Sequence, residues 1–255
     1  MKNTISVVIP TLDERRTIGN CINSLLNQTE KPLEIIIVDN GSKDNTQKVV
    51  KSLIKKYKKE MNIKLFSHPF GNQANAREFG VRKSKGTIIG SLDADACPNE
   101  EWVSTIKKYF KDKEIVGIGG KSKFRNKNNT FNFFYVWIYY LKIFFNIYCL
   151  GGGNSAFRKS SFLKVNGYKG LERLRKEKNI IFIKDDFFLS TKLKQEGKLK
   201  FCSDLNVTLL YRIRNKVSNQ KILSQIKEVI RRVFLDAVYD FKIVSYIKTL
   251  NKIKS

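Results

Sequence analysis

The sequence predicts one α/β domain with a mostly parallel central sheet and helices on both of its faces, followed by a helical extension. Three observations support this fold class. The 255 residues are 42% hydrophobic and 12% aromatic, which is enough apolar material for a substantial core. Short apolar runs bounded by turn residues alternate with segments whose apolar positions follow a helical spacing. Acidic and hydroxyl-bearing loops follow three of these runs directly.

The first half of the chain alternates strand and helix. The apolar runs predicted to be strands are Thr4–Ile9, Glu34–Val38, Ile63–Phe66 and Thr87–Leu92. The segments predicted to be helices contain apolar residues from Ile18 to Leu26 and from Val49 to Tyr57, and a third helix is expected after Gly71. Runs that are apolar on both faces are typical of parallel strands, whose connections are right-handed. Ligands of such sheets bind beyond the carboxyl ends of the strands.

Two later segments are helical by their pattern. Phe133–Leu150 contains only Lys142 and Asn146 as polar residues and is near the lower length limit for a membrane span. A crossing here would separate the acidic motifs on either side of it, so we expect a buried or an interfacial helix. Residues 211–255 repeat apolar positions at helical spacing and carry eleven Lys/Arg against three Asp/Glu. They are predicted to pack on the domain or to lie on an anionic membrane surface.

The charge balance predicts an anionic partner. Lys+Arg 49 against Asp+Glu 23 gives a net charge of +26, which suits nucleic acid, an acidic membrane or a phosphorylated substrate. The four cysteines are far apart in the sequence, so we expect reduced thiols and neither a zinc site nor a disulfide framework. A nucleic-acid-binding α/β protein without catalysis is the alternative hypothesis, although no nucleic-acid-binding motif is visible.

Three polar loops are expected to meet at one edge of the sheet. PTLDE follows Ile9, DNGSKDNT follows Val38, and Asp93-Ala94-Asp95 follows Leu92. Two carboxylates at a strand end suit Mg²⁺ or Mn²⁺, which prefer oxygen ligands and often share them with substrate phosphates. A nucleoside diphosphate would therefore fit at this edge of the sheet.

Single residues in these loops also have simpler structural interpretations. Asp39 could bind a base or a ribose, or could merely end a strand. Asp44 could cap a helix. Arg77 could contact phosphates, or could be an ordinary arginine on a helix surface.

An ordered set of seven segments resembles the family 2 glycosyltransferases, which have the GT-A fold. The segments, between Ser6 and Lys200, are SVVIPTLDE, SLLNQT, EIIIVDNGSKDNT, AREFG, GTIIGSLDADACP, GGGNSAFRKSSF and DDFFLSTKLKQEG. The resemblance implies an inverting, metal-assisted transfer of a sugar from a UDP- or GDP-linked donor. The Q-x-x-R-W signature of processive relatives is absent, which favours addition of a single sugar over polymer synthesis.

The same resemblance implies a role for individual residues. Those implied to bind the nucleotide sugar are Thr11, Glu14, Asp39, Arg77 and Asp93. The metal would be held by Asp95 together with Asp93, and Asp186 would be the catalytic base. Asp185, Gly153 and Asn154 would lie in the loops that face the sugar and the acceptor. Residues 1–97 would then be the nucleotide-binding half, 98–210 the acceptor half and 211–255 the extension.

The acceptor remains open at this stage between a hydroxyl group and a lipid phosphate. A base is needed to deprotonate a hydroxyl, whereas a polyprenyl phosphate is already ionised. Asp185 and Asp186 could also simply cap the helix that they begin. The basic and aromatic segments favour a lipid-linked or glycan acceptor and a location on the cytoplasmic inner face of the cell membrane. A sugar nucleotidyltransferase is disfavoured because the first loop, PTLDERR, contains no glycine.

Overall fold

The computed structural model describes residues 3–67, 69, 71–125, 150–177 and 185–210. The strands in these residues are β1 (Ile5–Thr11), β2 (Glu34–Asp39), β3 (Ile63–Ser67), β4 (Ile88–Leu92), β5 (Ala96–Pro98), β6 (Ile115–Phe124), β7 (Asn154–Arg158) and β8 (Lys198–Leu209). The helices are α1 (Ile18–Leu26), α2 (Thr46–Tyr57), α3 (Gln73–Lys83), α4 (Trp102–Tyr109), α5 (Lys159–Lys164), α6 (Leu171–Glu177) and α7 (Asp185–Leu193).

The strands form one sheet in the order β3-β2-β1-β4-β7-β6-β8-β5. The first four strands in that order are parallel, and so are β6 and β8. β7 runs antiparallel to both of its neighbours, and β5 runs antiparallel to β8. The prediction of a mostly parallel sheet is therefore confirmed, with two antiparallel strands that the alternation of strand and helix did not reveal.

Helices cover both faces of the sheet, which explains why the strands are apolar throughout. Every residue of β1 and of β2 is buried. One core cluster joins the sheet to α1, α2 and α4, and the other joins it to α3, α5, α6 and α7. All four predicted strands and the three predicted helices of the first half are present.

The first strand is longer than predicted, because it continues through a proline. Pairing of β1 with β4 ends at Val8, so Pro10 takes part only in the ladder with β2. Proline has no backbone N–H to donate, and it is tolerated here because β1 is no longer paired with β4 at this position. The extension places Thr11 opposite Asp39 in the register.

Two predictions concern residues outside the described ranges. Phe133–Leu150 is described only at Leu150, which is buried, and the extension 211–255 is not described. Among the described residues, no helix has the length and apolar character needed to cross a membrane.

Candidate active site

A cavity of about 220 Å³ opens where the two halves of the sheet meet. Its walls come from the end of β4, from α3, from β6, from the loop before β7 and from the start of α7. The residues that line it are Gln73, Arg77, Asp93, Gly120, Ser122, Gly151, Gly152, Gly153, Asn154, Asp185, Asp186 and Leu209. Six of the residues predicted from the sequence are among them: Arg77, Asp93, Gly153, Asn154, Asp185 and Asp186.

The arginine of this cavity is buried and paired with two carboxylates. Only 1% of the surface of Arg77 is exposed, so its interpretation as a helix-surface residue is wrong. Nη2 donates to Oδ1 of Asp93 and Nη1 donates to Oδ2 of Asp185, both at 2.9 Å. Nη2 also donates to the carbonyl oxygen of Gly152 at 3.3 Å. The guanidinium therefore joins three separate segments of the chain.

A second side chain of α3 fixes Asp93. Gln73 lies four residues before Arg77, so both point from the same face of the helix. Its amide Nε2 donates to Oδ1 of Asp93 at 2.9 Å. The helix begins with a side-chain cap, in which Asn72 accepts from the backbone N–H of Asn75. Gln73 was not among the site residues predicted from the sequence, although its spacing of four residues from Arg77 places both on one face of the helix.

The environment of Asp93 disfavours its ionised form. The side chain is 37% exposed at the cavity and enclosed by protein on its other sides. Burial raises the pKa of Asp93 above its ordinary value, and the guanidinium of Arg77 opposes this shift. The carboxylate of Asp185 raises the pKa further. The positive charge of Arg77 is thus shared between the carboxylates of Asp93 and Asp185.

The glycine loop 151–153 lies close against this arrangement at Gly152 and Gly153. A Cβ atom on Gly152 would be 3.0 Å from both η nitrogens of Arg77. A Cβ atom on Gly153 would be 2.5 Å from Oδ2 of Asp93. The carbonyl oxygen of Gly152 accepts from Oγ of Ser91 at 2.8 Å. A side chain at either position would therefore push against Arg77 or Asp93.

Asp185 and Asp186 begin α7, where the helix dipole favours their negative charge. Oδ1 of Asp186 accepts from the backbone N–H of Phe187 at 2.8 Å. One turn later, Oγ of Ser190 donates to the carbonyl oxygen of Asp186 and accepts from the N–H of Leu150 at 2.8 Å. The helix that carries Asp186 is thereby attached to the start of the glycine loop.

Asn154 lines the cavity, but its amide group is occupied by the protein. Oδ1 accepts from the indole N–H of Trp102 at 2.8 Å, and Nδ2 donates to the carbonyl oxygens of Lys121 and Leu205, both at 2.9 Å. Only 3% of Asn154 is exposed. In this arrangement the side chain connects β7 with β6, β8 and α4.

A second polar group lies at the ends of β1 and β2. Asp39 is fully buried and accepts hydrogen bonds from Ser42, from Nε2 of Gln47 at 2.9 Å and from Oγ of Ser67 at 3.0 Å. Thr11 lies opposite it, and among the described residues its buried Oγ1 has no hydrogen-bond partner. We call these five residues the Asp39 group. Its serines and glutamine were missed because they come from three separate segments.

The loop after β1 is tied to the loop after β2. Asp13 adopts a positive φ of 54°, and its carboxylate accepts from the N–H groups of Lys43 and Asp44. Glu14 accepts from Oγ1 of Thr17 at 2.5 Å, and its own N–H donates to Oγ1 of Thr46. Asp44 accepts from the N–H of Thr46, the first residue of α2, but the N-cap is Asn45, so the prediction of Asp44 as the cap is wrong by one position. The N–H of Asp13, next to Glu14 in the chain, donates to Oγ of Ser42 in the Asp39 group at 2.9 Å.

The two aspartates of the Asp93-Ala94-Asp95 turn face different surroundings. The N–H of Ala96 donates to the carbonyl oxygen of Asp93 at 3.0 Å, which closes the turn. Asp93 lines the cavity and Asp95 does not. Burial raises the pKa values of Cys21 and Cys97, and the carboxylate of Asp95 adds to the rise in both. Within the described ranges, no three side chains of His, Cys, Asp or Glu are grouped to hold a metal ion.

A family model decides the relationship of this chain to known proteins. The model described as glycosyl transferase family 2 matches residues 6–165, which is more than half of the chain. The chain belongs to glycosyl transferase family 2. The suspected resemblance is thus confirmed, and the matched residues include the Asp39 group, Arg77, Asp93 and the glycine loop.

Individual relatives of this family 2 chain are distant. A Methanococcus voltae protein named dolichyl N-acetyl-alpha-D-glucosaminyl phosphate 3-beta-D-2,3-diacetamido-2,3-dideoxy-beta-D-glucuronosyltransferase is 27% identical over 229 residues, which are 84% of this chain and 68% of that protein. Glycosyltransferase AglE of Haloferax volcanii is 29% identical over 126 residues, 49% of this chain. The match covers only 41% of the length of AglE.

A solved structure shows the same fold. The mannosyltransferase PcManGT from Pyrobaculum calidifontis, in complex with GDP-Man and Mn²⁺, superimposes with a TM-score of 0.67 at 17% identity. The superposition covers 97% of the family 2 chain and 69% of PcManGT. The fold is therefore the GT-A fold that the sequence predicts.

Proposed function

We propose that the protein is an inverting glycosyltransferase that moves one sugar from a nucleotide-diphosphate sugar to an acceptor hydroxyl group. The observation that carries this proposal is that Asp93 and Asp186 line the same cavity. Asp93 directly follows β4 in the nucleotide-binding half, and Asp186 lies at the start of α7. Family membership supports the class of reaction. The fold supports a donor site at the carboxyl ends of β1, β2 and β4.

The nucleoside is proposed to bind at the Asp39 group, with Glu14 beside it. The buried Oγ1 of Thr11 has no hydrogen-bond partner among the described residues, and a buried polar atom of this kind is stabilised when a ligand supplies one. The carboxylate of Asp39 can accept from N–H or O–H groups of a base or ribose. The GDP-Man in PcManGT supports a GDP-linked donor, and a UDP-linked donor remains equally compatible with these groups.

The protein offers only part of the ligands that a divalent cation needs. Asp95 and Asp93 offer hard oxygen ligands in one turn, and two carboxylates are a common protein share of a Mg²⁺ or Mn²⁺ site that substrate phosphates complete. When bound, the ion would neutralise the charge that develops on the departing diphosphate. The Mn²⁺ in PcManGT supports this proposal.

Asp186 is proposed to act as the general base. Its carboxylate lines the cavity and can take the proton of an acceptor hydroxyl as the oxygen attacks the anomeric carbon. The bond from that carbon to the donor phosphate breaks, and the diphosphate leaves with the electron pair. Attack from the face opposite the leaving group inverts the configuration.

The lining favours a hydroxyl acceptor over a phosphate acceptor. Three carboxylates, those of Asp93, Asp185 and Asp186, face the cavity, and its arginine is already paired with two of them. An anionic phosphate would be repelled there, whereas a hydroxyl is neutral and needs the base. We propose a lipid-linked sugar or a surface glycan as the acceptor, and a location on the inner face of the cell membrane. The name of the Methanococcus voltae relative supports a lipid-linked sugar.

The test is release of nucleoside diphosphate from a panel of UDP- and GDP-sugars, with Mn²⁺ or Mg²⁺, with and without membrane lipid extract. We expect release from one donor class, and loss of release in Asp186→Asn. Isothermal titration with UDP and GDP should show binding of one of them. Absence of both release and binding would overturn the proposal. Salt-sensitive DNA or RNA binding that survives Asp95→Ala would then favour the nucleic-acid alternative, which depends on the net charge alone.

A further inference from the structure

Both terminal nitrogens of the Arg77 guanidinium are hydrogen-bonded to the protein. Nη1 is bonded to Asp185, and Nη2 is bonded to Asp93 and to the carbonyl oxygen of Gly152. The residue is 1% exposed. A phosphate bonded to Nη2 would compete with Asp93 and with the carbonyl oxygen of Gly152. In the structure, the contacts of Arg77 are those of a residue that joins segments of the protein.

The partners of Arg77 come from both halves of the molecule. Arg77 and Asp93 belong to α3 and to the end of β4, on the donor side of the cavity. Gly152 and Asp185 belong to the loop before β7 and to the start of α7, on the acceptor side. A planar guanidinium presents its donors at fixed angles, so it holds two carboxylates at a defined separation.

Asp186 follows directly on one of the bridged residues. Fixing the carboxylate of Asp185 fixes the first turn of α7, and with it the direction of the next side chain. The glycine loop is held by the same bridge, because the carbonyl oxygen of Gly152 accepts from Arg77 and because Gly153 lies close to the carboxylate of Asp93. Leu150 and Ser190 connect that loop to α7 a second time.

We propose that Arg77 is a positioning residue whose bridge between Asp93 and Asp185 sets the distance from the donor side of the cavity to Asp186. The effect on catalysis rests on the proposed function, whereas the distance that the bridge sets between the two sides of the cavity does not. The bridge keeps the base within reach of the acceptor, whereas the proposed site of the nucleoside is the Asp39 group.

Arg77→Lys is the variant that tests this proposal. Lysine keeps the positive charge but cannot bond both carboxylates in the fixed geometry of a guanidinium. We expect kcat to fall about 100-fold, the size of effect that a misplacement of about 1 Å produces, with little change in the donor KM. Asp185→Asn should lower kcat similarly, and the double variant should lose little more, because both changes break one bridge.

Arg82→Lys is the matched control on the same helix, because it makes the same substitution outside the cavity. The side chain of Arg82 is half exposed and pairs with Glu78 at the surface, and it does not line the cavity. Its variant should keep kcat within about twofold, since an exposed ion pair contributes little. A rise in donor KM in Arg77→Lys with kcat unchanged would overturn the proposal and restore the phosphate contact.

Hydrogen exchange of the whole chain tests the bridge without any activity. In Arg77→Lys, peptides that cover 150–155 and 185–190 should lose protection, whereas in Arg82→Lys both should keep the protection of wild type. Unchanged protection of both cavity segments in Arg77→Lys would also overturn the proposal. If the wild-type protein transfers no sugar while these segments lose protection, the proposed function fails and the bridge stands.

Discussion

The indole N–H of Trp102 donates to Oδ1 of Asn154 across the sheet, at 2.8 Å. The same asparagine donates to two backbone carbonyls, those of Lys121 and Leu205. A residue that the sequence motif places opposite the sugar is thus also a structural connection inside the sheet. Experiment can separate its proposed role at the sugar from its role in connecting the strands.

Asn154→Ala is expected to lower the free energy of unfolding by about 3 kcal/mol or more, since each buried polar group left without a partner costs about 1–3 kcal/mol. Three groups lose their partner: the Trp102 indole and two carbonyl oxygens. Urea unfolding followed by fluorescence measures the change. Trp102→Phe, which removes one donor, should cost less. Equal stability of Asn154→Ala and wild type would show that these bonds contribute nothing net.

Asp186→Asn is expected to reduce kcat by about 10²–10⁴-fold, the usual contribution of a positioned general base. Binding of the nucleoside diphosphate should stay within about threefold of wild type, because a base that acts only in the transition state adds little to ground-state binding. Single-turnover transfer and titration calorimetry give the two quantities. A variant with full kcat would remove Asp186 from the mechanism.

Asp39→Asn is expected to weaken binding of UDP or GDP by about 10-fold or more, since hydrogen bonds to a charged group contribute about 1.5–3 kcal/mol. Asparagine keeps the size of the side chain but replaces one accepting oxygen with a donor. Titration calorimetry measures the affinity. Ser67→Ala is the control, because it removes one partner of Asp39 and leaves its carboxylate in place. Equal weakening in both variants would point to a structural role alone.

Chelation with EDTA is expected to abolish transfer, and added Mn²⁺ or Mg²⁺ should restore it. Asp95→Asn should raise the metal concentration needed for half-maximal activity by about 10-fold or more, because loss of one anionic ligand weakens a hard-cation site. The measurement is initial rate against free metal concentration. Activity that is unaffected by EDTA would show that Asp93 and Asp95 do not serve a metal.

The buried carboxylate of Glu34 is expected to make stability depend on pH. Its side chain is fully buried and accepts from Ser6, from Nζ of Lys64 at 2.7 Å and from the N–H of Lys85 at 2.6 Å. Burial alone would raise the pKa of Glu34, but Lys64, Lys85 and Ser6 outweigh it and lower the pKa below its ordinary value of 4.5. The folded state therefore gains stability above pH 4.5 and loses it as the pH falls through the lowered pKa.

Glu34→Gln measures that contribution. Breaking a buried pair costs about 3–5 kcal/mol, and the lower value is expected here because Lys64 is partly exposed. Urea unfolding from pH 7 to pH 3 should show a smaller acid loss in the variant than in wild type. Parallel pH curves for the two proteins would contradict this account.

The first half of the sheet was predictable because β1, β2 and β4 are buried along their whole length and mostly apolar, and because β3 is a short, mostly apolar run. The carboxyl ends of these strands then pointed to Thr11, Asp39 and Asp93. Strands β5, β6, β7 and β8 were not predicted. Three-residue β5 is too short to show a period, and β7 pairs only through distant contacts.

The site was predictable as a set of residue types but not as a set of contacts. A helical arginine gives no local signal of burial, so only the fold shows that Arg77 faces two carboxylates. Gln73, Ser42 and Ser67 are common polar residue types, and the sequence alone does not show which carboxylate each of them contacts. Family resemblance indicated which residues belong to the site, and the tertiary structure then showed which of them contact each other.

The antiparallel strand β7 lies between β4 and β6, and it is hydrogen-bonded to both. One continuous ladder therefore crosses from the donor half to the acceptor half, and a hinge between the two halves would have to break it. Substrate entry and product departure must then rely on movements of loops around a rigid frame. The residence time of substrate and product on the enzyme should therefore change with substitutions in the loops. It should not change with substitutions that destabilise the middle of the sheet.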